Sequence, residues 1–236
     1  MRVLLIAHTV ITGWENMRQA GWVDYPADHE EVSGGNIPFD IEADHLAEFG
    51  GRLCYQSWER PNPATATNEG YLDNIIKQQH FSVLEHASAT FYLEGITRSL
   101  THELVRHRHL TYSQVSQRYV DSSKVRFIPP PAIINEGGET LALFDDALAA
   151  QRDHYAQLVK MLESAGLPRK EARQAARAVL PNATETKILV TGNMRAWRDV
   201  IAKRNTPFAD AEIHALAAEL LRQLKELAPN TFQDME

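Results

Sequence analysis

Residues 98–119 read RSLTHELVRHRHLTYSQVSQRY, and their hydrophobic period changes partway along. Up to His107, Leu100, Leu104 and Val105 fall at helical spacing; from His109 the residues alternate as in a strand. The junction carries Arg106-His107-Arg108-His109. Any fold must place four cation-forming side chains in a small volume exactly where helix gives way to extended chain. The chain has 24 basic and 31 acidic residues, a net charge of −7, so this cluster is a local exception. The balance argues against a general nucleic-acid or membrane surface and for a pocket that holds an anion.

Helical spacing puts Arg98, His102 and Arg106 on one stripe at i, i+4 and i+8, with Glu103 and His107 on another. Beyond His109, extended chain points Leu110, Tyr112, Gln114, Ser116 and Arg118 to one side. Gln114, Ser116 and Arg118 then stand at roughly 7 Å intervals and span about 13 Å. Their amide can pair with a pyrimidine edge, and their hydroxyl and guanidinium can hold a phosphate. Spacing alone leaves a solvated helix face and a plain polar strand face open.

His102-Glu103 invites comparison with H-E-x-x-H, but the fifth residue is Arg106. His107, five positions on, lies about 140° around the helix from His102, so the two imidazoles cannot share a zinc ion. His80, Glu85 and His86 in HFSVLEH admit a metal site, though buried histidines bonded to backbone are the preferred reading. Neither a G-x-G-x-x-G fingerprint nor a P-loop occurs. Arg169, Arg173 and Arg177 share a helix face, and Lys203 and Arg204 close another helix. An RNA-binding module, stacking bases on Tyr112 and Tyr119, is a rival reading that the net charge disfavours.

The remaining pattern predicts one α+β domain over 1–236. Residues 1–11 read as a strand rather than a signal peptide. Residues 12–38 are polar and turn-rich yet hold Trp14, Trp22 and Tyr25, which points to a packed loop, with a disordered insertion as the alternative. Helical spacing over 41–56 sets Ile41, Leu46, Phe49 and Leu53 inward. Asn68 is expected to cap a helix to Gln79, and a strand over 87–94 to end at Gly95. The clearest helix covers 139–164, with Leu141, Phe144, Leu148, Tyr155, Leu158 and Leu162 as its apolar stripe, and a second runs from 169 to 180. A strand over 187–191 leads into a helix after Asn193. Thr206-Pro207 reads as the start of the last helix, with Ile213, Leu216, Leu220, Leu221 and Leu224 inward. Cys54 is the sole cysteine; it excludes an internal disulfide and is expected to be a small buried residue. No run of about 18 apolar residues occurs, and a reducing cytoplasm is the default compartment.

Arg106-His107-Arg108, seven residues and then Ser116-Gln117-Arg118-Tyr119 resemble the signature of the flavin-dependent thymidylate synthases. HFSVLEH with the following ATFYLEG, Arg177-Ala178-Val179-Leu180-Pro181, and Asn193-Met194-Arg195 with Asp199 and Arg204 resemble further blocks of that family, in order. The resemblance implies an α+β fold with a mixed or antiparallel sheet flanked by long helices, assembled as a homotetramer with shared sites. It implies synthesis of dTMP from dUMP, with methylenetetrahydrofolate as carbon donor, FAD as hydride carrier and NADPH as reductant. By the same resemblance FAD falls to His80, Ser82, Arg106, His107, Arg108, Asn193, Arg195 and Asp199. The dUMP falls to Arg98, Glu103, Arg106, Gln114, Ser116, Arg118, Arg177 and Arg204. Arg204 is the implied catalytic group, its charge favouring ionisation of the uracil ring. No metal and no cysteine nucleophile is implied. Gln114 stands where many relatives carry Glu, Glu103 where Gln is common, and Asp199 where Asn or His is expected. An anionic Asp199 beside flavin calls for a cationic partner, for which Arg195 is the candidate.

Overall fold

The computed structural model describes residues 1–23, 42–60 and 62–236. Strands β1 (Arg2–His8), β2 (Ser88–Thr97), β3 (Thr111–Gln114) and β4 (Glu185–Asn193) form one antiparallel sheet in the order β1-β2-β4-β3. The sheet is antiparallel throughout, which refines the mixed-or-antiparallel expectation. Alternation sends Ala89, Phe91 and Leu93 of β2 and Ile188 and Val190 of β4 into the core, where Phe91 faces Val190 and Leu93 faces Ile188. β2 does not stop at Gly95. That residue, at φ +66°, forms a bulge between Glu94 and Ile96, and the strand continues to Thr97.

The helices are α1 (Trp14–Gln19), α2 (Glu42–Tyr55), α3 (Asn68–Lys77), α4 (Arg98–Leu104), α5 (Pro131–Glu136), α6 (Gly138–Ser164), α7 (Arg169–Ala176), α8 (Met194–Arg204) and α9 (Ala211–Leu227). α9 buries Ile213, Leu216, Leu220, Leu221 and Leu224 against α4, α8 and β1. Asp210, not Thr206, caps it by accepting from Glu212 N at 3.0 Å. The Thr206 carbonyl lies 2.7 Å from His214 Nδ1, which ties 206–209 into a turn ahead of the helix. Trp14 and Trp22 set their rings edge-on to His45 of α2, at 5.6 and 5.9 Å. The rest of the 12–38 loop expectation, including Tyr25, lies outside the described residues from position 24 onward.

The expected apolar face of α2 is only part of what the helix buries: Leu46 packs half-buried on the core and Phe49 against Trp22 and Trp58, while Ile41 lies outside the described residues. Leu53 is exposed, while Asp44, His45, Glu48 and Arg52 are buried. A polar network accounts for this. Asp44 accepts from Asn230 N (2.8 Å), Thr231 N (3.0 Å) and the Thr231 hydroxyl. Glu48 accepts from Arg52 Nε (2.5 Å) and Asn68 Nδ2 (2.8 Å). Burial pushes the Asp44 carboxyl up to about 6, against the pull of its Thr231 and Asn230 bonds. Asn68, drawn into this network, does not cap α3; Thr67 does, accepting from Gly70 N at 3.2 Å.

Gly70 itself is sterically required. A Cβ there would stand 2.4 Å from the Ala64 carbonyl oxygen. Alanine ordinarily favours a helix interior over glycine by about 1 kcal/mol, but this neighbour is backbone and cannot swing aside. We expect Gly70→Ala to destabilise the fold by about 1–3 kcal/mol. A denaturation midpoint that stays put or rises would contradict this.

α6 is the long helix the sequence predicts, yet only Tyr155 of its stripe is fully buried. Its neighbours are α5, α7 and the 3-10 turn after α7. Leu143 and Met161 are 72% and 67% exposed. Among the described residues, no helix is long and apolar enough to cross a membrane.

Candidate active site

Two of the segments that build the site are each launched by a cap at the end of a strand. β2 ends at Thr97, whose hydroxyl accepts from Leu100 N (3.0 Å) and starts α4. β4 ends at Asn193, whose Oδ1 accepts from Ala196 N (2.8 Å) and starts α8. On α8, Trp197 is fully buried, donates Nε1–H to the Ala89 carbonyl at 3.1 Å and meets Phe91 edge-on at 5.2 Å. That packing fixes the helix roll and leaves Arg195, Asp199, Lys203 and Arg204 toward the α4–β3 junction.

α4 ends at Leu104, before the R-H-R run, so the helical stripes predicted through Arg106 and His107 are cut short and Val105 is exposed. The chain turns instead, with His107 N donating to Leu104 O (3.1 Å) and Leu110 N to His107 O (3.3 Å). The Tyr112 hydroxyl lies 2.7 Å from Leu104 O and 2.8 Å from His107 O, bracing that turn. This geometry resolves the crowding of cations. Only His107 points inward, 7% exposed, while Arg106, Arg108 and His109 fan outward.

A recess of about 500 Å³ is lined by Arg106, His107, Arg108 and His109 from the turn and by Asp199, Lys203 and Arg204 from α8. A second, of about 310 Å³, shares His109 and Asp199 and adds Glu85, Asn193, Arg195 and Ala196. A third, of about 360 Å³, shares Arg195 and reaches His80, Ser82, Cys54 and Tyr55. The three adjoin through these shared residues and bring all eight flavin-assigned residues together. His80, Ser82 and His86 are exposed, contrary to the expectation of buried histidines, because Val83 and Leu84 take the core side of the 3-10 turn Phe81–Glu85. Cys54 is likewise exposed, at the open end of α2.

Charges inside the site are interlocked. Arg204 donates Nη1–H to Glu103 Oε2 (2.7 Å), Nη2–H to the Glu103 carbonyl (3.3 Å) and Nε–H to His107 Nε2 (3.1 Å). His107 Nδ1 lies 3.3 Å from Asp199 Oδ2, and Lys203 Nζ lies 2.6 Å from Asp199 Oδ1. Arg195 does not pair with Asp199; it reaches Glu85 at 2.5 Å instead. Burial lowers the His107 pKa, helped by the Arg204 charge and opposed by Asp199. For Asp199, burial acts upward, but Lys203 and His107 outweigh it and hold the carboxyl below its usual range.

The substrate-assigned residues are placed less simply. β3 stops at Gln114, so alternation does not carry through Ser116 and Arg118; 116–120 is a turn in which Ser116 Oγ accepts from Arg118 N at 3.3 Å. Gln114 faces inward and donates to the Thr101 and Thr186 hydroxyls, at 3.1 and 3.3 Å. Arg98 donates Nη2–H to Val115 O (2.6 Å), and its pKa is lowered by burial and then by the Arg177 charge. The Nε–H groups of Arg98 and Arg118 are buried and have no partner among the described residues. Glu103 and Arg204 belong to the first recess through their ion pair, whereas Arg98 lines a separate one of about 160 Å³.

His109 of the cationic cluster lines the site as expected, whereas Lys203 and Glu85, noted in the sequence only as closing a helix and as a possible metal ligand, join it as further lining residues. The i, i+4 spacing of Asp199 and Lys203 was the available signal for the first; nothing local ties Glu85 to this recess.

The sequence profile of the Thy1 family, described as thymidylate synthase complementing protein, matches residues 39–230. Several proteins named flavin-dependent thymidylate synthase are similar to the chain. That of Mycobacteroides abscessus is 56% identical over 215 residues, 87% of this chain and 86% of the relative. Those of Mycolicibacterium vanbaalenii and Mycobacterium tuberculosis are each 54% identical over 211 residues, 85% of this chain and 84% of the relative.

Proposed function

The chain belongs to the flavin-dependent thymidylate synthases, the Thy1 family, and on that premise we propose that it makes dTMP from dUMP by reductive methylation. Methylenetetrahydrofolate is the carbon donor, FAD the hydride carrier and NADPH the reductant. The observation that carries this reading is the meeting of the R-H-R turn and α8 around one cationic recess.

The donor set suits FAD. The Arg106 and Arg108 side chains have no ion pair with any described residue, so both guanidiniums are available to a pyrophosphate, whose paired oxygens match their forks. Asn193 spends its Oδ1 on the α8 cap and has its amide N–H groups left as donors, beside Arg195, for the edge of an isoalloxazine. His80 and Ser82 extend the same trough. Bound FAD supplies the hydride; the protein's own part is to hold the partners and the charge. Arg98, Ser116, Arg118 and Arg177 suit the dUMP phosphate, and the unpartnered Nε–H groups of Arg98 and Arg118 are buried donors of the kind an anion satisfies. Arg204 presents a fixed positive charge to the uracil ring, favouring its ionised form.

Among the described residues, the recesses around the flavin-assigned side chains are not lined by Arg98, which lies on a separate one; that separation favours sites completed between copies in a homotetramer. The half-covered stripe of α6 offers a surface for that assembly. A lone free cysteine suits a reducing cytoplasm.

Purified protein should be yellow and should release tritium from 5-tritiated dUMP when given NADPH and the folate; colourless protein that cannot take up FAD would refute the reading. Arg118→Ala should weaken dUMP binding about tenfold or more while FAD stays bound, and Arg108→Ala should do the reverse. Titration of each ligand separately decides this, and equal loss of both in each variant would show the division of the motif to be wrong.

A further inference from the structure

We propose that His107 is a positioning residue for Arg204: a neutral ring with its proton on Nδ1 accepts the Arg204 Nε–H and fixes the plane of the guanidinium. The proposal rests on the reading above only in that Arg204 faces the pyrimidine.

Hydrogen-bond chemistry assigns the tautomer. Arg204 Nε can only donate, so His107 Nε2, 3.1 Å away, must accept and carry no proton. The ring proton is therefore on Nδ1 and is directed at Asp199 Oδ2, 3.3 Å away. Lys203, at 2.6 Å, anchors that carboxylate from the other side. Glu103 takes the two terminal nitrogens of Arg204 with its carboxylate and its carbonyl. All three guanidinium nitrogens are thus held, and a planar group held at three nitrogens has no freedom to swivel. An imidazole does this without adding a second negative charge, which would weaken the cation the chemistry needs.

The surroundings keep the ring neutral. Arg106, Arg108 and His109 flank it along the chain, Lys203 and Arg204 face it from α8, and among the described residues of this cluster Glu103 and Asp199 are the acidic ones. Protonating Nε2 would abolish its lone pair and set two cations 3.1 Å apart, so Arg204 would lose one of its three anchors. Burial, with the Arg204 charge, opposes that protonation and outweighs the opposite pull of Asp199.

The first test does not depend on turnover. Protein with 15N-labelled histidine, with His107→Gln used to identify the His107 signals, should show at neutral pH a neutral ring protonated at Nδ1. A ring protonated at Nε2 overturns the proposal whatever the enzyme assays give. In the dUMP-dependent tritium-release assay, His107→Leu should lower kcat about tenfold at pH 8, with flavin content measured in the same samples. His107→Gln, whose amide oxygen can stand in for Nε2, should recover most of that loss. Wild-type kcat should fall on the acid side as His107 gains its proton, and the Gln variant should lack that limb. An unchanged acid limb in His107→Gln, or kcat loss in proportion to lost flavin, overturns the positioning role. Tritium release absent from the wild type, with the Nδ1–H ring present, would instead count against the proposed function.

Discussion

Arg52→Ala should destabilise the protein by about 3–5 kcal/mol, the usual result of stranding one half of a buried ion pair. The Arg52 side chain is 2% exposed and satisfies partners in four directions. Nε meets Glu48 at 2.5 Å, Nη1 donates to Ser57 O at 3.0 Å, Nη2 donates to Thr65 O at 2.6 Å, and the guanidinium lies 4.4 Å from the centre of the Tyr71 ring. Removing it takes a donor from two carbonyls and the nearest guanidinium from a carboxylate that is itself 0% exposed, whose remaining partners include Asn68 at 2.8 Å and Arg60 at 3.6 Å. The double variant Glu48→Gln, Arg52→Met should recover part of the loss, because no charge is then stranded. Denaturant midpoints for the three proteins decide the matter; a loss below about 1 kcal/mol in Arg52→Ala would show that the pair is not the anchor of α2.

Arg204→Lys should lower turnover about a hundredfold while changing dUMP affinity less than about threefold. Lysine keeps the charge and can reach Glu103. Its single nitrogen cannot also occupy the positions now bonded to the His107 ring and the Glu103 carbonyl. In the proposed role the charge would therefore be kept at the pyrimidine but lose its fixed direction, a defect that affects the reaction more than binding. Turnover equal to the wild type would contradict the role given to Arg204.

Much of this architecture was legible because it is local. The apolar spacing of α9, the reach of α6 and the start of α8 after Asn193 follow from short-range pattern, and the eight residues that the family resemblance assigns to flavin line the three adjoining recesses. What was not legible depends on partners distant in sequence. The polar face of α2 is buried because Asn230 and Thr231, some 186 residues away, supply donors to Asp44. The predicted stripe from Gln114 to Arg118 failed because Thr101 and Thr186 claim the Gln114 amide and the chain turns at Ser116. Asp199 called for a cation, which the structure supplies as Lys203 while Arg195 turns to Glu85; either pairing satisfies i, i+4 spacing or simple charge balance.

The bulge at Gly95 acts as a parity switch. Up to Leu93 the odd-numbered residues of β2 enter the core, whereas past Gly95 the even-numbered Ile96 does so. One additional residue thus decides which side of the sheet receives Thr97 and, with it, the departure of α4. Without it, the same cap and helix would launch from the opposite side, and the arginines of the following turn would be carried away from α8.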